Sequence, residues 1–154
     1  MAYDISVIVP TYNKADQLAN NLLSWQNQTF QHDRFEVIVV DDGSNDDTRN
    51  VINEARRHID YRLRCFYLNR PERSTAALPW NYGIKRADAD VIVQAGADII
   101  AAKDALELLH MYIIDCDGNT QVFSQCYNVH SPLAQALLEH IPWLDDIHSL
   151  ESIL

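Results

Sequence analysis

A run of four β-branched residues at positions 37–40 meets two carboxylates and then a turn, in the stretch VIVVDDGSNDDT. An apolar run of this length, bounded by turn residues, is typical of a strand buried on both faces of a parallel sheet. Ser44 and Asp47 have the S-x-x-D spacing that begins helices. Asp41 and Asp42 are therefore expected at the carboxyl end of a parallel strand, where open α/β sheets bind ligands. From the residues alone, ligand binding and simple capping of the turn both remain open.

The same alternation of apolar runs and helical spacing extends along the chain. Strands are predicted at residues 5–9, 35–40, 62–68, 90–93 and 121–127, and helices over 15–25, 48–59, 79–87, 105–113 and after Ser131. Asn13 is the predicted cap of the first helix, and Pro79 is expected in the first turn of the third. This rhythm predicts a Rossmann-like, three-layer α/β/α sandwich with a mostly parallel sheet, as a single domain over residues 1–154.

Composition excludes several classes of function. A formal net charge of -10 argues against a protein that binds nucleic-acid backbones. There is no G-x-G-x-x-G after the first strand and no G-x-x-x-x-G-K-[ST], so neither a dinucleotide site nor a P-loop is supported.

Cysteine usage and hydropathy indicate where the protein works. Cys65, Cys116 and Cys126 are odd in number and lack C-x-x-C spacing, which favours a reducing compartment over a disulfide framework or a zinc site. No signal peptide is visible, and no apolar run approaches the ~18 residues of a transmembrane span. We expect a cytoplasmic protein, or one at the cytoplasmic face of a membrane.

Four segments occur in an order that is specific when taken together: SVIVPTYNK at 6–14, VVDDGS at 39–44, NYGI at 81–84 and ADII at 97–100. They resemble the amino-terminal, nucleotide-sugar-binding part of family 2 glycosyltransferases, which have the GT-A fold. The resemblance covers roughly residues 4–115. Full domains of the family are longer, so the acceptor half is expected to be largely missing, and the fold to be truncated at its carboxyl end.

The resemblance implies an activity, namely transfer of a sugar from a nucleotide-diphospho-sugar to an acceptor hydroxyl. The donor would be a UDP-sugar and the acceptor a saccharide, a lipid or another hydroxyl compound, with inversion at the anomeric carbon. The alternative is a noncatalytic GT-A-like module that binds a nucleotide or a partner protein, without a complete D-x-D motif or catalytic base.

The donor nucleotide would lie against the loops after the first two strands. The resemblance places Pro10, Thr11 and Tyr12 against the base and ribose, although Tyr12 could equally be a packing aromatic residue. It makes Asp42 the first candidate for reading the base and Asp41 the second, because a fixed carboxylate can accept the N–H of uracil.

A basic residue in the loop before Asn81 commonly contacts the donor in this family. Arg73 is the first candidate and Arg70 the second, since a guanidinium matches phosphate oxygens. Either arginine could instead be simply solvated. Trp80 stands where many relatives carry an arginine.

The family's D-x-D motif aligns with Gly96-Ala97-Asp98. The resemblance implies that Ala97 lies beside the donor and that Asp98 holds a divalent cation, Mn²⁺ or Mg²⁺, together with phosphate oxygens and water. The alternative for Asp98 is a loop or capping residue.

The catalytic base of the family belongs to an acidic motif after the fifth strand. Asp145 and Asp146 form the late acidic pair of this sequence and are the candidates for that base. The alternative for this pair is an amino-terminal helix cap after Pro142.

Overall fold

In a computed structural model of the chain, residues 3–69, 75–114, 116 and 120–122 are described. Within them, four strands alternate with four α-helices. The strands are β1 (Ile5–Thr11), β2 (Phe35–Asp41), β3 (Arg62–Tyr67) and β4 (Val91–Gln94). The helices are α1 (Ala15–Gln26), α2 (Thr48–Ala55), α3 (Ala77–Ile84) and α4 (Ala105–Ile114), and a short 3₁₀ turn precedes β2 at His32–Arg34.

The four strands form one parallel sheet in the order β3-β2-β1-β4. β1 pairs with β2 over its whole length, from Ile5 beside Phe35 to Thr11 beside Asp41. On its other edge β1 pairs with β4. The chain therefore builds outward from β1 in one direction and then returns to its other side. This reversal places a crevice at the carboxyl ends of the strands around β1.

Helices cover both faces of the sheet. On one face, side chains of α1, α2 and α4 pack with alternate residues of the strands around Val7, Val37 and Val39. On the other face, α3 packs on a smaller cluster formed by Ile8, Ile38 and Val40. All seven residues of β2 are buried, which explains its continuous apolar run. The predicted three-layer α/β/α sandwich with a parallel sheet is confirmed.

Some predicted boundaries are wrong. The helix predicted to reach Ile59 ends at Ala55. In the turn that follows, backbone N–H groups bond to the third residue back instead of the fourth, as His58 N–H does to Ala55 O. Ile59 still packs against the core, which is why its spacing suggested helix. The predicted strand 121–127 and the helix after Ser131 fall largely outside the described residues.

Both predicted helix caps are also wrong. Asn13 does not cap α1, since Lys14 occupies the cap position and makes no side-chain cap bond. Ser44 and Asp47 do not form a capping box, because α2 begins only at Thr48 and the Ser44 hydroxyl is bonded elsewhere. Pro79 lies in the first turn of its helix, as expected.

No helix in the described part of the chain is long and apolar enough to cross a bilayer.

A buried carboxylate holds the amino-terminal edge of the sheet. Glu36 is fully buried, and its Oε1 accepts hydrogen bonds from Ser6 Oγ (2.8 Å) and from the Asp88 backbone N–H (2.9 Å). Arg64 Nη1 lies 3.1 Å from Glu36 Oε2. One side chain thus joins three strands and the segment that leads into β4.

Replacing this carboxylate with its amide should cost much more stability than the same change on the surface. Glu36→Gln leaves the Arg64 charge without its buried partner and should lower the free energy of unfolding by about 3 kcal/mol. The matched control is Glu54→Gln, which alters an exposed pair with Arg57 and should change stability by less than about 0.5 kcal/mol. Chemical denaturation measures both, and equal losses would contradict the structural role of Glu36.

Candidate functional site

The loops that follow β1 and β2 are bonded directly to each other. Asp42 N–H donates to Thr11 O at 2.9 Å, which extends the pairing past the strand ends. Asn13 N–H donates to Ser44 Oγ, and Asn45 N–H donates to Asn13 Oδ1, each at 2.9 Å. This reciprocal pair uses the side chains that the sequence had suggested as helix caps. The two loops therefore form one continuous rim at the carboxyl edge of the sheet.

The turn in the first loop depends on asparagine. Asn13 has φ = 50°, in the left-handed region where residues with a Cβ are disfavoured and asparagine is tolerated best. Gly43, in the second loop, has φ = 83°. Two left-handed residues on facing loops allow the chains to turn sharply and approach each other.

Asp46 fixes the starts of two helices. Its Oδ2 accepts the Ala15 N–H at 3.0 Å, and its Oδ1 accepts the Thr48 hydroxyl (2.6 Å) and backbone N–H (3.1 Å). These donors, the Thr48 hydroxyl foremost, lower the pKa of the Asp46 carboxyl below its ordinary value. The carboxylate supplies the caps that Asn13 and Ser44 do not.

Asp41 has a structural role and retains hydrogen-bonding capacity. It is fully buried, and its Oδ1 accepts the Ser44 N–H at 2.9 Å, which is the predicted capping of the turn. Among the described residues, its Oδ2 and the Oγ1 of the neighbouring Thr11 are buried without a hydrogen-bond partner. Because buried polar atoms are nearly always hydrogen-bonded, this pair is a place where the fold leaves capacity for a further partner.

The other predicted donor-binding residues of the first two loops differ in exposure. Asp42 is 4% exposed, whereas Tyr12 is 40% exposed and Pro10 is half-buried. Tyr12 is thus not a core aromatic residue, and its side chain is partly open to solvent.

The loop after β4 is held against α1. Asn21 Nδ2 donates to Gly96 O (3.2 Å) and to Ile99 O (2.7 Å). Asp98 lies between them, and its Oδ2 accepts a charged hydrogen bond from Lys14 Nζ. This bond is the main reason that the pKa of the Asp98 carboxyl is lowered. The third loop is therefore tied to the first by an ion pair, and Tyr12, Asp42 and Asp98 lie on the same edge of the sheet.

The residues around Asp98 fit a cation that draws most of its ligands from a substrate. No group of three or more His, Cys, Asp or Glu side chains that could hold a metal occurs in the described ranges. A Cβ added at Gly96 would lie 2.7 Å from Asp98 Oδ1, so a larger residue there would make this exposed carboxylate turn from its present position. Mg²⁺ in particular is often bound by one or two carboxylates plus phosphates and water. The Asp98 carboxylate already pairs with one cationic group, the Lys14 ammonium.

The remaining predicted site residues have other surroundings or are not described. The Ala97 side chain is buried in the core, so only its backbone can border a ligand. Trp80 packs against the cluster beneath α3. Arg70, Arg73, Asp145 and Asp146 lie outside the described residues.

Sequence reasoning missed three residues at this edge. Lys14 was passed over, although it directly precedes a helix at the carboxyl end of a strand. Tyr67 pairs with Asp41 in the sheet and is 42% exposed, and the Arg49 guanidinium lies 4.7 Å from its ring centroid. Tyr67 could have been identified from the sequence, because it is the last residue of its strand.

A cavity of about 500 Å³ lies at the opposite edge of the sheet, where the segment before β2 meets α4. Its lining includes Phe30, Arg34, Glu107 and His110. It contains none of the predicted site residues, and the strand order gives no reason to expect a ligand there.

A sequence model described as Glycosyl transferase family 2 matches residues 6–143. The chain belongs to glycosyl transferase family 2. Among curated relatives, this family 2 chain is 30% identical over 103 residues to a dolichyl N-acetyl-alpha-D-glucosaminyl phosphate 3-beta-D-2,3-diacetamido-2,3-dideoxy-beta-D-glucuronosyltransferase from Methanococcus voltae. The match covers 67% of this chain and 32% of that protein, so the chain spans about a third of this relative's length.

Solved structures of similar proteins include two that hold donors. One is residues 1–349 of S. aureus TarS in complex with UDP-GlcNAc, with a TM-score of 0.66 and 29% identity over 73% of this chain and 31% of that one. Another is the mannosyltransferase PcManGT from Pyrobaculum calidifontis in complex with GDP-Man and Mn²⁺, with a TM-score of 0.57 and 29% identity over 64% of this chain and 28% of that one. The predicted GT-A fold is confirmed for this family 2 chain.

The bonded loops yield a prediction about stability. Asn13→Ala removes the acceptor for Asn45 N–H and puts a Cβ without a polar group at φ = 50°. It should lower the free energy of unfolding by about 1–2 kcal/mol. Asn13→Gly relieves the backbone strain and should cost less.

The matched control is Asn20→Ala on α1, where the side chain donates to Asp16 O within its own helix. Because alanine is the better helix former, this change should be neutral or slightly stabilising. Urea denaturation of the three variants provides the measurement. If Asn13→Ala behaves like Asn20→Ala, the bonds between the loops do not stabilise the fold.

Proposed function

We propose that this chain is the donor-binding domain of a glycosyltransferase that transfers a sugar from a UDP-sugar to an acceptor hydroxyl. The observation that carries the proposal is that bonded loops bring Tyr12, Asp42 and Asp98 to one edge of the sheet, around the strand where its order reverses. The UDP-GlcNAc complex of TarS, which shares the fold, supports the choice of donor.

The base would be recognised at the end of β2. Asp42 is held nearly buried by its backbone bond to Thr11, so its carboxylate is a fixed acceptor for the N–H of uracil. The half-exposed ring of Tyr12 would offer a stacking surface, and Asp41 Oδ2 and Thr11 Oγ1 are buried atoms that could accept or donate a further hydrogen bond at the same strand ends. Pro10 lies on this side near the end of β1, just before the loop.

The diphosphate would lie toward the loop after β4. Asp98 would hold Mn²⁺ or Mg²⁺ there, next to the Ala97 backbone, and Arg73 is proposed as a phosphate contact. A divalent cation in this position would neutralise the charge of the leaving diphosphate. This chain's residues would orient the donor, with the β1 and β2 loops holding the nucleoside end.

The transfer itself needs a base that takes the acceptor's proton as its oxygen attacks the anomeric carbon. Asp145 and Asp146 are proposed for that role, and the resemblance to family 2 implies inversion. The acceptor is proposed to be a saccharide, a lipid or another hydroxyl compound. The free thiols of Cys65 and Cys116 fit a reducing compartment, so we place the reaction in the cytoplasm or at its membrane face.

A second candidate is a noncatalytic module that binds the nucleotide. The observation that favours it is that Gly96 stands where the family motif has its first acid, together with the ammonium on Asp98. The two candidates differ in turnover, since the module would bind UDP without hydrolysing or transferring from a UDP-sugar.

Nucleotide binding provides the primary test. Isothermal titration of the chain with UDP in the presence of Mn²⁺ should show a single site, with GDP binding more weakly. Asp42→Asn removes the charged acceptor and should weaken UDP binding about tenfold or more. The control Asp16→Asn, in the exposed first turn of α1, should leave binding unchanged. Absence of UDP binding at millimolar concentration would overturn the donor assignment.

The cation assignment has its own test. Mn²⁺ should strengthen UDP binding by the wild-type chain, and Asp98→Asn should abolish that gain while the fold, followed by circular dichroism, stays intact. A gain from Mn²⁺ that survives Asp98→Asn would place the cation elsewhere.

A further inference from the structure

Lys14 is a charged residue of the rim to which neither the sequence resemblance nor the proposed function gives a role. Resting on the proposed function, we propose that Lys14 is the resident counter-ion of Asp98 and a specific contact for the donor diphosphate. Its ammonium holds the carboxylate in the empty protein. When the nucleotide binds without metal, the ammonium would bridge Asp98 and the diphosphate, and a divalent cation that took its place on Asp98 would supply most of that charge instead.

The backbone on both sides of Lys14 is fixed. Before it, Asn13 is bonded through both its N–H and its side chain to the β2 loop. After it, the Ala15 N–H is held by Asp46 at 3.0 Å. The residue itself occupies the cap position of α1, where its carbonyl accepts the Leu18 N–H and its side chain makes no cap bond. The fold therefore anchors the Lys14 backbone at the rim and leaves its flexible four-carbon stem available to reach a charge.

The contact with Asp98 crosses the crevice at the point of chain reversal. Lys14 follows β1 and Asp98 follows β4, the two strands on either side of that crevice. Their side chains are 41% and 54% exposed, so the pair is solvated and weak. Asn21 holds the carbonyls of Gly96 and Ile99, which fixes the Asp98 loop independently of the ion pair. Loss of the pair therefore need not move the loop.

The charges around Asp98 favour replacement of the Lys14 ammonium by a divalent cation. An ammonium and a divalent cation compete for the same carboxylate, and a bound diphosphate brings negative charge to the immediate neighbourhood of both. An ammonium is a compact point charge with three donors, which suits a phosphate oxygen as well as a carboxylate. Lys14 displaced from Asp98 would therefore have an acceptor within reach of its stem.

This arrangement predicts how metal and nucleotide binding are coupled. Without metal, Lys14 supplies a positive charge to the diphosphate, so UDP binds measurably and Mn²⁺ adds only a modest gain. Without Lys14, the metal must supply that charge, so the gain from Mn²⁺ becomes larger. Coupling of this kind is reciprocal, and it can be read from UDP affinities alone.

The experiment compares UDP dissociation constants in Mn²⁺ and in EDTA for the wild type, Lys14→Met and Lys14→Arg. In EDTA, Lys14→Met should weaken UDP binding roughly fivefold, the size expected for loss of a partly exposed charge pair. In Mn²⁺ the loss should be less than about twofold. The dissociation constant in EDTA divided by that in Mn²⁺ should therefore rise in Lys14→Met. In Lys14→Arg this ratio should return toward the wild-type value.

The matched control is Lys85→Met, at an exposed lysine just after α3, which should leave both constants unchanged. Should Lys14→Met fail to give a native circular dichroism spectrum, Lys14→Gln replaces it. A second readout is Mn²⁺ alone, followed by electron paramagnetic resonance, where Lys14→Met should bind the ion several-fold more tightly because the competing ammonium is gone.

The outcomes separate the two proposals. If the wild type binds UDP but Lys14→Met has the same ratio of constants, Lys14 has no part in the exchange and only this inference is overturned. If the wild type binds no UDP in either condition, the proposed function is overturned and this inference with it.

Discussion

The parallel register of β1 on β2 is the constraint on which the rest of the site depends. It ends with Thr11 beside Asp41, so the loops that follow leave the sheet at the same level and side by side. Only then can Asn13 exchange hydrogen bonds with Ser44 and Asn45 across 31 and 32 residues of sequence. A slip of one residue would turn every side chain of β1 to the other face of the sheet and separate the loops.

The buried polar atoms at the two edges of the sheet differ in how fully they are hydrogen-bonded. At the amino-terminal edge, the buried polar atoms of Glu36 and Ser6 bond to each other and to neighbouring strands and backbone. At the carboxyl edge, Asp41 and Thr11 are as deeply buried but keep atoms without a partner in the described part of the chain. An unsatisfied buried polar atom destabilises a fold, and the proposed nucleotide site would supply the missing partners at this edge.

Features that depend on neighbouring residues in the sequence could be predicted, whereas contacts between distant residues could not. Strands and helices were predictable because β2 is buried on both faces and the helices have one buried stripe, and both leave a periodic pattern. The caps were not, since the side chains of Ser44 and Asn13 bond across the two loops and Asp46, just before α2, also caps α1 from 31 residues away in the sequence. The ion pair of Lys14 with Asp98 spans 84 residues, and no spacing rule reaches that far. The acidic pair was recognised through its place at a strand end, and capping of the turn was one of the two roles left open, but only the folded turn shows that Asp41 makes the bond to Ser44.

The central claim is that the loops after β1, β2 and β4 form one nucleotide cleft. A titration of the isotopically labelled chain with UDP and Mg²⁺, followed by amide chemical shifts in nuclear magnetic resonance spectra, tests it most directly. The account predicts that the amides of Tyr12, Asp42 and Asp98 shift together and saturate with a single dissociation constant. Shifts confined to one of these loops, or centred on the cavity beside His110, would contradict it.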